Sequence, residues 1–72
     1  MLKQHQMRVV DENTELAAKI ERLEAFIGSP EYHALGGPDQ FLLRKQVMVM
    51  REYLDILALR ISRFVTQGVR DG

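Results

Sequence analysis

Between Leu43 and Phe64 the apolar residues Leu43, Val47, Met50, Leu54, Leu57, Ile61 and Phe64 are spaced alternately four and three apart. That spacing keeps all seven on one side of an α-helix, as a seam of the coiled-coil type. A second stripe runs beside it: Leu42, Val49, Tyr53 and Ile56, continuing into Arg60 and Arg63, with Met48 and Leu59 widening the apolar arc. One partner helix covers only one seam. The helix therefore asks for more neighbours than the rest of a 72-residue chain can supply. The first expectation is a small helical module that associates with copies of itself.

Composition narrows the ways such a chain can be stabilised. A domain of this size buries only about 60% of its unfolded surface. The chain has no cysteine, so disulfides and thiolate metal sites are excluded, and this suits the cytoplasm. Its two histidines, His5 and His33, have no third ligand at a recognisable spacing, so neither a metal nor any other cofactor is expected. Oligomerisation remains, and an apolar fraction of 46% favours it. Ten basic and ten acidic residues cancel. A neutral chain is a poor binder of DNA or RNA polymers, whose affinity comes from many phosphate neutralisations. No apolar run approaches the ~20 residues of a membrane span. The opening Met-Leu-Lys-Gln-His-Gln lacks the apolar stretch of a signal peptide. The expectation is a soluble, intracellular protein with no membrane partner.

Taken in order, residues 2–10 read as a short, weakly amphipathic helical segment. The cluster Asp11-Glu12-Asn13-Thr14 has side chains that cap helices better than they fill them, so a break or kink is expected there. A first long helix is expected over 13–27, with Leu16, Ile20, Leu23 and Ile27 on its seam and Phe26 alongside. Glu15 and Lys19 stand in the favourable order for an i,i+4 pair. Gly28 and Pro30 end that helix, and 28–37 form a connection with one short turn after Ser29-Pro30-Glu31. Pro38 and Asp39 open a second long helix over 38–65, and 67–72 form a frayed tail. The expected architecture is all-α and one domain, 1–72. It comprises a short N-terminal segment and an antiparallel hairpin of two long helices, assembled as a homo-oligomer.

No enzyme signature is present: no phosphate-cradling glycine loop, nucleophile elbow or paired His-Glu zinc motif. Gly36-Gly37 lacks the lysine and hydroxyl that would complete a phosphate loop. Lys19 reads first as a solvated partner of Glu15, and second as an anion contact. Arg60 shares the stripe where an oligomer contact would fall. There its guanidinium needs a carboxylate or an anionic ligand, and its planar fork suits phosphate. A salt bridge to Asp55 or Glu52 of another copy is the equal alternative. Tyr53 reads as a core or interface ring, His5 as a surface residue, and the four methionines as adaptable packing. Arg44-Lys45 read as a solvated face, with an Arg51–Asp55 pair one turn on.

The string His5-Gln6-Met7-Arg8-Val9-Val10-Asp11-Glu12, then Glu15-Leu16, Lys19-Ile20, Leu23 and Phe26-Ile27, resembles a family of small phage proteins. The likeness continues through Asp39-Gln40, Leu42-Leu43, Gln46, Met50, Tyr53, Ile56-Leu57, Arg60-Ile61 and Phe64. It covers residues 5 to 64, and its specificity lies in the combination. The family is that of the phage anti-CBASS sponges, compact helical homohexamers. They bind the cyclic oligonucleotide messengers of a bacterial defence pathway and withhold them from the effector without cleavage.

The resemblance implies that this chain is not an enzyme and acts in the cytoplasm of the infected host. Its partners would be cyclic di- and trinucleotides, dinucleotides foremost, and copies of itself. Lys19 would contact the dinucleotide together with Gln4, His5 and Arg8 of the N-terminal segment. Arg60 would contact cyclic trinucleotides in a separate pocket. Two departures stand out. The family pocket has an aromatic ring near the chain start, whereas this chain has none before Phe26, leaving His5 to substitute. Glu21 stands where the family has a hydroxyl beside trinucleotide phosphates, and a carboxylate there repels them. The alternative to a sponge is a small helical oligomerisation or adaptor module whose exposed stripe binds a protein; a DNA-binding role is disfavoured by the neutral charge.

Overall fold

The chain is punctuated by Ser29-Pro30 and Gly36-Gly37, and its helices stop and start there. The computed structural model describes residues 2–71, with side chains as far as Phe64. The described residues form α1 (Gln4–Ile27), α2 (Pro30–His33) and α3 (Gly37–Asp71), with no strand. The second long helix, expected over 38–65 with a frayed tail at 67–72, is helical as far as Asp71.

Packing follows the spacing of the seams. All seven α3 seam residues from Leu43 to Phe64 are buried or half-buried, and Leu57 is 0% exposed. They face a matching line on α1: Gln6, Val9, Asn13, Leu16, Ile20, Leu23 and Ile27, likewise buried or half-buried. Contacts between the helices run in opposite order along the two chains. The Tyr53 hydroxyl donates to the Glu12 carboxylate, and Arg51 forms an ion pair with Glu24, so the hairpin is antiparallel. The molecule is a rod of 55 × 16 × 14 Å. At about 1.5 Å per residue α3 alone accounts for its length, and α1 covers some two-thirds of it.

Two expectations are corrected. The separate segment over 2–10 is part of α1, which begins at Gln4 and runs unbroken through Asp11–Thr14. The seam explains this: it continues back from Leu16 through Asn13 and Val9, and burying Val9 against α3 outweighs the weak helix propensity of the intervening residues. Thr14, expected to break the helix, donates its hydroxyl to the Val10 carbonyl (3.2 Å) inside it. At the start, the Gln6 side chain reaches back to accept from the Lys3 backbone N–H (2.9 Å). The second correction concerns Arg51, which pairs across the hairpin with Glu24 rather than along α3 with Asp55.

The connection is held by its own side chains. Gly28 ends α1 with φ −82°, within reach of any residue, and the turn is made by Ser29 in extended conformation. The Ser29 hydroxyl caps α2 by accepting from the Tyr32 backbone N–H (3.3 Å). Tyr32 is buried, meets Phe26 edge-on at 6.4 Å, and donates its hydroxyl to the Gln40 carbonyl (3.1 Å). The Gln40 amide in turn donates to the Leu35 carbonyl (2.7 Å). This staple sets where α3 begins.

What the single chain leaves uncovered is the rest of α3. Leu42, Val49, Tyr53 and Ile56 of the second stripe, with Phe41, Met48 and Leu59, are all exposed. Shortening the most enclosed seam residue tests the packing argument. Leu57→Ala is expected to cost about 2–5 kcal/mol in chemical denaturation, whereas Leu59→Ala, on the exposed side, changes the stability of a single hairpin little.

Candidate functional site

An α-helix turns once every 3.6 residues or so, and this places His5, Arg8, Glu12 and Lys19 along one flank of α1. Arg8 and Lys19 are about three turns, or ~16 Å, apart on that line. Both are exposed. Gln4 stands about 100° round from His5, further from α3.

The Glu12 carboxylate fixes which side of α3 this flank meets, because it accepts from the Tyr53 hydroxyl. Tyr53 belongs to the exposed stripe that carries Arg60 two turns further on. In an antiparallel hairpin that step leads back towards the first turns of α1, where His5 and Arg8 lie. The opposite step along α1 leads to Lys19, level with the Gln46–Val49 turn. The structure therefore assembles one flank with His5, Arg8 and Arg60 at one end, the Tyr53–Glu12 bond in the middle and Lys19 at the other end. Its floor is the apolar stripe Val49, Tyr53 and Ile56.

The electrostatics of the flank centre on Tyr53. Its hydroxyl is held above the usual phenol value of 10.0, first by the hydrogen bond to Glu12, then by partial desolvation and by the Glu12 charge. The Arg60 cation pulls in the opposite direction, as expected for a neighbour on the same stripe. Lys19 does not form the pair with Glu15 that their spacing suggests; the ion pair among the described residues is Arg51–Glu24. Glu21 lies about 200° round α1 from Lys19, on the opposite side, and level with the half of the hairpin away from Arg60. One chain does not bring Glu21 and Arg60 together. Among the described residues no group of three or more His, Asp or Glu could hold a metal ion, and no helix is long and apolar enough to cross a membrane.

The pattern of the Sequestin family matches residues 3–63, which includes the whole flank from His5 to Arg60 and the connection. The chain belongs to the Sequestin family. That family fits the anti-CBASS sponges which the sequence resembles, and its name points to a sequestering protein rather than an enzyme. The chain is also 33% identical over 60 residues to an uncharacterised 7.5 kDa protein from the denB–rIIB intergenic region of Enterobacteria phage T4. The alignment covers 83% of this chain and 94% of that relative. No solved structure matches.

Two residues of the flank, Glu12 and Tyr53, were not among the candidates read from the sequence. The residue pattern offers Glu12 as a member of a helix-capping cluster and Tyr53 as a core or interface ring. Each stands on the line next to its own seam, which is where residues of facing helices meet, and that is the signal that would have paired them. Their bond makes a titration testable. The raised value means that the bond's contribution to stability is present below the ordinary phenol value and lost as pH rises through the folded-state value. In Glu12→Gln the Tyr53 midpoint, followed by ultraviolet or ring-carbon NMR titration, is expected to fall towards 10.0; an unmoved midpoint removes Glu12 as the cause.

Proposed function

We propose that this Sequestin-family chain sequesters cyclic oligonucleotide messengers, cyclic dinucleotides foremost, and so blocks bacterial CBASS signalling without cleaving them. The pockets form between copies of a homohexamer in the host cytoplasm. Lys19 and Arg8 supply the phosphate contacts, His5 supplies a flat face for a base, and Gln4 completes the N-terminal wall. Arg60 serves the pocket for trinucleotides, in which Glu21 is unfavourable.

The observation that carries this reading is the flank itself: exposed cations of α1 and α3 gathered along an uncovered apolar stripe. Sequestration needs no more than that. Phosphates require cationic forks or point charges, bases require flat or apolar surfaces, and no bond is broken. The ~16 Å between Arg8 and Lys19 favours a pocket completed by a second chain, since one small ligand spans that distance poorly.

The same stripe would also serve an adaptor that binds a protein, and one screen separates the two. Melting against a panel of cyclic di- and trinucleotides is expected to give a large stabilisation with a preferred ligand, about 2.7 kcal/mol at a hundred times its Kd. A flat response across the panel, with a protein partner co-purifying, supports the adaptor instead. Lys19→Ala is expected to weaken dinucleotide binding roughly ten- to a hundredfold in calorimetry, the worth of one charged hydrogen bond, at unchanged oligomeric mass. Equal affinity in wild type and variant would remove Lys19 from the pocket.

A further inference from the structure

The side of α3 turned away from α1 carries a line of its own. Phe41, Lys45, Met48, Glu52, Asp55 and Leu59 follow one another at spacings of four, three, four, three and four, a run that reads the same from either end. Phe41, Met48 and Leu59 are 59%, 57% and 66% exposed, so the line is apolar at both ends and near its middle. Its charges are segregated. Lys45, with Arg44 beside it, precedes Met50, whereas Glu52 and Asp55 follow it; Arg51, next after Met50, is paired with Glu24.

Among the described residues these charges have no partner within the chain. Neither Arg44 nor Lys45 has a carboxylate three or four residues away on α3, and Glu52 has no cation at those distances. The one cation within a turn of Asp55, Arg51, is taken by Glu24. Phe41, Arg44, Lys45 and Met48 also enclose a shallow notch of ≈ 260 Å³. Four residues at i, i+3, i+4 and i+7 form the hole into which a facing helix inserts a side chain.

We infer that this face pairs with the same face of a second copy, α3 against α3, antiparallel about a two-fold axis at the level of Met50. Lys45 and Asp55 each lie five residues from that axis, so each cation meets the other copy's carboxylate, twice by symmetry. Phe41 and Leu59 each lie nine residues from it and meet as an apolar pair. The Asp55–Ile56 turn faces the notch, with its carboxylate on the cations and its branched side chain on Phe41 and Met48. A parallel pairing would set basic half against basic half, and like charges across an interface are costly. The occupant is therefore a copy of this chain. The pairing shares the premise of self-association with the proposed function and names the surface that carries it, one that adjoins the Tyr53–Arg60 flank at Ile56.

Sedimentation of the full chain over a range of concentrations tests it, with circular dichroism to follow helix content. K45E and D55K are each expected to weaken association by about tenfold or more, because each places like charges together at two symmetric positions. The double variant K45E/D55K is expected to restore it. Wild-type mass in both single variants, or a helical double variant that stays dissociated, would overturn the pairing. Where a single variant loses its helix, recovery of helix and mass in the double variant supports the pairing, and continued dissociation overturns it. A wild-type chain that associates in this way yet binds no cyclic nucleotide leaves the pairing intact and removes the sponge reading.

Discussion

The hairpin depends on one interaction, the meeting of two seams that alternate in steps of three and four. Burying a leucine or isoleucine side chain is worth about 1.5–3 kcal/mol, and the seam offers little else. Among the described residues the polar contacts between the two long helices are the Tyr53–Glu12 bond and the Arg51–Glu24 pair, both at the edges of the contact and both in reach of water. They orient the helices more than they hold them, since exposed ion pairs contribute little. A core made of one row of side chains per helix also explains why so much apolar surface stays outside it.

That surplus links structure to function. On α3 the residues left over from the seam divide between two faces. One adjoins the α1 line of His5, Arg8 and Lys19 and ends in Arg60; the other carries Phe41, Met48 and Leu59 among segregated charges. A helix with apolar residues almost all round belongs inside a larger structure. The proposed assembly would supply that structure, and in it the binding of an anionic ligand would follow from how the copies meet.

The sequence was a good guide where periodicity was strong and a poor one where capping chemistry competed with it. Leu43 to Phe64 and Leu16 to Ile27 were legible because their spacing repeats several times. The separate segment expected over 2–10 and the break at 11–14 do not form: Asp11, Glu12, Asn13 and Thr14 only resemble a helix start, and the seam position among them is a polar Asn13. Tertiary packing decided the matter in favour of a continuous helix. For the candidate site, helix geometry alone sets Arg8 and Lys19 on one line. Bringing Arg60 to that line needed the direction of the hairpin and the Tyr53–Glu12 contact, 41 residues apart, which no local pattern encodes.

The stapled connection has a kinetic consequence. Tyr32 and Gln40 pin the short link 28–36, so α1 and α3 find each other by closing a short loop, which costs little chain entropy. Contacts between sequence neighbours form in microseconds to milliseconds in small helical proteins. A newly made hairpin would thus be ready almost at once, and any delay before it works would reflect how often two chains collide, a quantity set by how much protein the cell contains.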